Sequence, residues 1–372
     1  MTGECQFRAG DTGFWHPCNI LSELASKSRF ENSVMIPCRP IVFGLLSLAC
    51  LWPSVCRAYD PLALDPVSPP APIDLSISDT NRERDIPIRV YLPAGTTPQP
   101  VILFSHGLGG SRTGSAFLGQ HWAARGYVVV YIQHPGSDDA VWREVPAADR
   151  LGSMQRAASP KNFLLRVKDV AVVLDQLTVW NRDSANPLAG RLDLKHVGMS
   201  GHSFGAVTTQ AVSGESFPGT GQQFTDPRIS AALAFSPSSP KRRAPSAAFE
   251  KVTIPWMLMT GTKDIAPIGG QDVASRLAVY DSLVGIPKYE LVLNNAEHSV
   301  FTDRALPGDT ELRNPNHHRV IEALSTAFWD AYLRKDSAAL VWLNSDQPTK
   351  VMEPADRWRF QARLERPLAA PQ

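Results

Sequence analysis

No cysteine occurs after residue 56. The five present, Cys5, Cys18, Cys38, Cys50 and Cys56, all fall at the front of a 372-residue chain. The rest therefore has no disulfide and no thiol nucleophile, and its stability must come from its core. Metal and nucleotide signatures are missing as well. There is no H-E-x-x-H, no Cys/His cluster at ligand spacing and no Walker A sequence, and Gly107-Leu-Gly-Gly110 lacks the third-glycine spacing of a dinucleotide fingerprint. No metal and no cofactor is expected. An excess of one charge is also absent. The 37 Lys+Arg and 36 Asp+Glu leave a formal net charge of +1, which gives no electrostatic reason to expect nucleic acid or an anionic surface as partner.

Long apolar runs are scarce too. The longest, Ile41 to Trp52, falls short of the ~20 residues that span a bilayer comfortably. Its flanks give it another meaning. Met35 and Arg39 precede it as a start-like residue and a positive charge, and Cys56-Arg-Ala58 follows as a small-x-small cleavage site, so 35–58 reads as a secretory signal peptide. Residues 1–34 are polar and stand ahead of it, which fits translation starting at Met35 and a spurious or disordered extension before it. An uncleaved anchor or a buried apolar helix is the alternative. The mature chain is expected to begin near Tyr59, to carry no membrane span and to be secreted or periplasmic.

With 43% hydrophobic and 20% charged residues, the chain can bury a large core. Residues 59–72 are Pro-rich and read as a linker. Ile73–Ile77 and Ile86–Leu92 suggest an antiparallel pair at a sheet edge, where Pro87 is tolerated. Strand-like and helix-like segments then alternate. Strands are predicted at Val101–Phe104, Tyr127–Ile132, Val197–Ser200, Ile229–Phe235, Trp256–Met259 and Tyr289–Leu293. Helices are predicted near Ser115–Arg125, Lys161–Trp180, Phe204–Val212, Asp272–Leu283 and His317–Arg334. In the second of these the apolar stripe is Phe163, Leu164, Val167, Val170, Ala171, Leu174 and Leu177. Such alternation implies an α/β domain over 73–344, with a mainly parallel twisted sheet and helices on both faces. Residues 345–372 read as a polar tail. Pro135–Pro160 and Ser213–Pro227 are inserts that could cover a site, and no stretch is long enough for a large cap domain.

Gly201-His-Ser-Phe-Gly205 is a G-x-S-x-G sequence between an apolar run and a small-residue helical stretch. That is the strand–turn–helix setting of a nucleophile elbow, with glycines leaving room for a strained serine. Acyl transfer by Ser203 needs a base, a group to orient the base, and donors for the developing oxyanion. His298 directly follows a predicted strand and is the candidate base; His317 and His318 open a helix and are expected at the surface, while His202 is expected to pack beside the elbow. Asp264, in Gly261-Thr-Lys-Asp264 before Pro267, is the candidate acid. Its rivals fit less well: Asp226 lies in a loop before a strand, Asp272 opens a helix, and Glu297 adjoins the histidine and would point elsewhere. For the oxyanion hole the candidates are the backbone N–H groups of Phe204 and of Leu108, the latter in Ser105-His-Gly-Leu-Gly-Gly110.

The order Ser203, Asp264, His298 is that of the α/β-hydrolases. Together with the Ser105–Gly110, Gly201–Gly205 and Gly261–Asp264 motifs, the chain resembles that superfamily over roughly 73–334. Its motifs resemble the platelet-activating-factor acetylhydrolase and dienelactone-hydrolase-like branch. The resemblance implies an α/β-hydrolase fold, ester hydrolysis through an acyl-enzyme on a small-molecule or lipid ester, the triad Ser203, Asp264 and His298, and the hole Leu108 and Phe204. Dienelactone hydrolases proper use a cysteine nucleophile; a serine here favours a secreted carboxylic ester hydrolase for short acyl or acetyl esters. A serine peptidase, a transacylase or a silent binding protein on the same fold are the alternatives.

Overall fold

The computed structural model describes residues 58–362. The expected extension and, apart from Ala58, the signal peptide lie outside the described residues, as do all five cysteines. Chain order begins with the hairpin β1 (Ile73–Asp79) and β2 (Arg84–Tyr91), then β3 (Gln99–Ser105), α1 (Ala116–Ala124) and β4 (Val128–Ile132). An insert holds α2 (Ala140–Arg143) and α3 (Arg150–Ala157), and α4 (Pro160–Trp180) leads to β5 (Leu192–His202). Next come α5 (Phe204–Val212), β6 (Ile229–Phe235), α6 (Pro245–Phe249), β7 (Trp256–Lys263) and α7 (Val273–Ser282). The described residues end with β8 (Lys288–Glu297), α8 (Pro315–Tyr332), α9 (Ser337–Leu343) and β9 (Arg357–Gln361).

One sheet takes all nine strands of the described residues in the order β1-β2-β4-β3-β5-β6-β7-β8-β9. The strands from β4 to β8 pair in parallel, and antiparallel pairs β1/β2, β2/β4 and β8/β9 close the two ends. After β3 the chain steps outward to β4, then returns to the other side of β3 to lay down β5. The carboxyl ends of β3 and β5 therefore flank the point where strand order reverses, the crevice where open α/β sheets bind ligands.

Both faces of the sheet are covered, and the two-residue period shows it. Ile102 and Phe104 of β3 and Val129 and Tyr131 of β4 join a core with α1 and α8, while Val101, Leu103, Val128 and Val130 join a second core with α4. A third core places α7 against Ala232 and Ala234 of β6. The helix starts follow local chemistry. Ser159 caps α4 by accepting from Asn162 N–H (3.2 Å) ahead of Pro160, and Asp272 caps α7 through Ser275 N–H (2.8 Å).

Several expectations are corrected. Pro87 is not in the edge strand: β2 lies between β1 and β4. Its carbonyl accepts from Gln133 N–H (2.9 Å) just beyond β4, so the missing donor falls where that ladder ends. The α4 stripe is rotated from the expected one. Leu164 is exposed, whereas Arg166 and Asp169 are fully buried alongside Val170 and Val173. The polar segment after Ser345 is not only a tail, because β9 in it pairs with β8 and stacks Trp358 and Phe360 near Tyr289. The Pro-rich segment is also held: Tyr59 O–H donates to Asp330 (2.8 Å), and Leu62 packs on the core.

Asp330 is the anchor of that strap. Its carboxylate also accepts from Tyr127 O–H (2.7 Å) and Arg125 (2.8 Å) while almost fully buried. Removing the acceptor leaves a guanidinium and two hydroxyls without it. Asp330→Ala is therefore expected to lower the unfolding free energy by about 3 kcal/mol in urea titration, with the fold retained.

Candidate active site

Ser203 stands between the last residue of β5 and the first of α5. Its backbone has φ 58° and ψ −114°, a region that L-residues rarely occupy and that a tightly supported turn must enforce. The support is specific. Ser203 N–H donates to Phe235 O of β6 (3.0 Å), and its carbonyl accepts from Val207 N–H (3.1 Å) as α5 begins. A Cβ on Gly205 would lie 1.8 Å from Ser105 O, and one on Gly201 would lie 2.5 Å from Gly205 O. No side chain fits at either place, so the glycines let helix, turn and the end of β3 touch.

Asp264 follows β7 and His298 follows β8. The two neighbouring strand ends come together because Gly261 has no side chain: a Cβ there would meet Ala296 O at 2.1 Å. The structure brings the three candidates into one chain of hydrogen bonds. His298 Nδ1 is 2.6 Å from Asp264 Oδ1, and His298 Nε2 is 2.8 Å from Ser203 Oγ. With its proton on Nδ1, directed at the carboxylate, the imidazole presents a lone pair to the serine hydroxyl. Asp264 is fully buried, and its second oxygen accepts from Ser236 Oγ (2.7 Å) and Thr260 Oγ1 (2.8 Å). Burial alone would raise its carboxyl pKa. The hydrogen bond and charge of His298, the charge of Arg276 and the Ser236 hydroxyl outweigh this and hold it at about 2.

Arg276 of α7 escaped the sequence reading. It is 1% exposed; its Nε lies 3.0 Å from Asp264 Oδ1, and its Nη1 donates to Ser236 O (2.8 Å). Its Nη2 approaches His298 Nδ1 at 3.2 Å. The available signal was a charge in phase with the buried Val279 and Tyr280 of its helix.

His202 packs beside the elbow as expected. It is buried, its ring centroid lies 4.7 Å from that of His298, and its Nε2 is 3.0 Å from His298 O. Burial, then the nearby His298, pushes its pKa well below the usual range, so it stays neutral and donates from Nε2. His317, expected at the surface, is instead buried in the first turn of α8, and His318 stacks on Phe117 at 3.7 Å. Glu297 points away, accepting from Thr310 N–H (2.9 Å) and Glu311 N–H (3.1 Å) to hold the next loop. Asp226 binds Arg228.

The two expected oxyanion donors lie on either side of the β3–β5 crevice. Phe204 N–H is in the first turn of α5, where no intrahelical carbonyl can take it. Leu108 N–H donates to no carbonyl among the described residues, while Gly109 N–H goes to Ser137 O (2.9 Å) and Gly110 N–H to Gly107 O (3.0 Å). The first insert reaches this loop. Trp142 Nε1 donates to Gly109 O (2.7 Å), and Met154 also stands against Gly109. The second insert turns away and packs Phe217 and Phe224 on Phe163 of α4. A cavity of about 520 Å³ is lined by Asn294, Asn295, Glu311, His317 and Asp356, and by none of the three triad candidates.

A family model for platelet-activating factor acetylhydrolase, isoform II, matches residues 87–149. That window runs from β2 through β3, the Leu108 loop, α1 and β4 to the end of the first insert's α2 region, and it stops before Ser203. No curated protein matches the chain.

The depressed Asp264 pKa has a consequence for stability. Its folded value, about 2, lies below the ordinary 3.8, so the folded state binds this proton more weakly than the unfolded state. The stabilisation is complete above the unfolded value and is lost as pH falls through about 2. The stability gap between the wild type and Asp264→Asn should therefore be constant from pH 7 to 5. It should shrink by about 2 kcal/mol on further acidification, as measured by denaturant titration.

Proposed function

From an α/β-hydrolase fold similar to the platelet-activating factor acetylhydrolase family, and so to ester-cleaving serine hydrolases, we propose that the chain hydrolyses carboxylic esters through a Ser203–His298–Asp264 triad. The observation that carries this reading is the unbroken chain of hydrogen bonds from Asp264 through His298 to Ser203, ending on a serine in a strained turn. His298 Nε2 takes the hydroxyl proton as Ser203 Oγ attacks the ester carbonyl. Asp264 keeps the ring oriented and offsets the charge of the imidazolium. Leu108 and Phe204 N–H groups receive the developing oxyanion. The imidazolium then protonates the leaving alcohol, and water repeats the sequence on the acyl-enzyme to release the acid and restore the serine.

The substrate assigned in this reading is a small-molecule or lipid ester with a short acyl group, acetyl being the simplest. The support is steric. Trp142 and Met154 crowd Gly109 next to Leu108, and among the described residues only the short α6 and its flanking loops separate β6 from β7, so no cap domain there adds a long acyl tunnel. Export is the second part of the proposal. It rests on the Arg39, Ile41–Trp52 and Cys56–Ala58 pattern, and on the fact that Tyr59, the residue after the inferred cut, is itself held to the body by its hydrogen bond to Asp330. Among the described residues no helix is long and apolar enough to cross a membrane.

Ser203→Ala is expected to lower turnover of p-nitrophenyl acetate by about four or more orders of magnitude without changing thermal stability. Near-wild-type turnover in that variant would reject the assignment. Trp142→Ala should raise the ratio of p-nitrophenyl octanoate to acetate turnover by about tenfold if the first insert limits acyl length. N-terminal sequencing of the protein from its native source should begin at or near Tyr59; a cytoplasmic species retaining Cys38 to Cys56 would refute export.

A further inference from the structure

A second Ser–His–Asp series lies beneath the Leu108 loop. His134 Nδ1 is 2.9 Å from Asp169 Oδ2, and His134 Nε2 is 2.9 Å from Ser105 Oγ. All three residues are fully buried, so no substrate can reach Ser105. Asp169 is also bound by Arg84 (2.8 Å) and Arg82 (2.9 Å). The series ends on a fourth buried group, the guanidinium of Arg166, whose Nη2 lies 3.0 Å from Ser105 Oγ.

Proton accounting gives this series a single direction. Burial, then the charge of Arg166, holds the His134 pKa down at about 4, so at neutral pH its ring has one N–H. Burial works against the Asp169 carboxylate, but hydrogen bonds from His134 and Arg84 keep its pKa below the ordinary value. A carboxylate only accepts, so the proton of His134 is on Nδ1 and Nε2 must accept from Ser105. Ser105 has one hydrogen and spends it there. Its oxygen is left to accept from Arg166, which only donates. Every group has one role, and Arg166 cannot rotate without breaking the series.

The other donors of Arg166 reach both halves of the expected oxyanion hole. On the loop side, Nη2 also donates to His106 O, and Nη1 donates to Ser137 Oγ (2.9 Å). Ser137 O in turn takes Gly109 N–H (2.9 Å), so the residues on both sides of Leu108 are tied to the one cation. His106 adds to this, since its Nε2 accepts from His134 N–H (3.0 Å) and its Nδ1 lies 2.6 Å from Gly107 O. On the helix side, Nε donates to Thr208 Oγ1 (3.0 Å), which donates to Phe204 O (3.0 Å), and the guanidinium carbon sits 4.7 Å over the Phe204 ring.

We propose that Arg166, oriented by Asp169, His134 and Ser105, is the positioning residue that fixes the Leu108 and Phe204 N–H groups relative to each other. This rests on the ester-hydrolase reading above. A planar, multiply donating cation suits the task, because it can bind two chain segments at once in fixed geometry. Burying it is expensive, and an apolar side chain would fill the same space at less cost. What the charge adds is a fixed distance between two donors that lie on different elements. Preorganised donors aimed at developing charge are the largest single contribution in acyl transfer, so loosening them costs rate more than binding.

The test uses Ser105→Ala and Thr208→Val, which cut one strand of the clamp each with little change in volume, alongside Arg166→Met. In the folded Ser105→Ala and Thr208→Val variants, kcat for p-nitrophenyl acetate should fall by about tenfold, with KM within about twofold. Affinity for a trifluoromethyl ketone, whose serine adduct carries an oxyanion, should fall in parallel. Arg166→Met should fall further if it folds. Wild-type kcat and ketone affinity in folded Ser105→Ala and Thr208→Val would overturn the proposal. So would a loss of thermal stability with kcat and ketone affinity intact. Ser203→Ala in the same assay separates the two claims. Turnover that survives it rejects the hydrolase reading, whereas turnover that needs Ser203 but ignores the clamp variants rejects the clamp alone.

Discussion

The contact between the Ser203 turn and the end of β3 constrains everything around it. Gly205 lies so close to Ser105 O that even a methyl group is excluded, and this closeness sets the spacing of β3, β5 and α5 at the point where strand order reverses. The strained serine, the Leu108 loop and the start of α5 are parts of one packed turn. A backbone in a rarely populated region persists only where its surroundings over-determine it. Here β6 holds the Ser203 N–H, α5 holds its carbonyl, and Arg166 ties β3 to α5 from below.

A second close approach, of Gly261 to Ala296, does the same for the other half of the site. It draws together the ends of β7 and β8 so that a carboxylate and an imidazole from different strands meet at 2.6 Å. The site thus joins two rigid halves across β6. Each half is braced by a buried arginine, Arg166 beneath the loop and Arg276 beside the acid. Arg276 is paired directly with the buried Asp264, whereas Arg166 reaches the buried Asp169 only through Ser105 and His134. The other partners of both cations are mainly backbone carbonyls and hydroxyls that a mobile loop would expose to water.

Much of this was legible in the sequence, for physical reasons. Ser203, Asp264 and His298 each follow a buried strand whose apolar run stands out, and the glycines at 201, 205 and 261 mark where backbones must touch. The bracing residues were not legible. Arg166 and Asp169 sit in α4, where an apolar stripe drawn through Leu164 and Ala171 fits the same helix, and only the fold reveals that the charged pair faces inward. Ser105, His134 and Asp169 are far apart in sequence, and although Ser105 opens the Ser105–Gly110 motif, no local pattern links it to the other two. The final strand was hidden because β9 is a short, half-exposed edge strand in a polar segment, held by Trp358 and Phe360. Pro87 misled for the opposite reason, since it occupies an inner strand at a place where the ladder has already ended.

The most direct test of the account is to trap the covalent intermediate. The wild-type protein, mixed with p-nitrophenyl acetate and quenched in acid during turnover, should yield an acetyl group on the peptide bearing Ser203 by mass spectrometry, and hydroxylamine should remove it. An acetyl group found on another residue, with Ser203 unmodified while ester turnover proceeds, would contradict it.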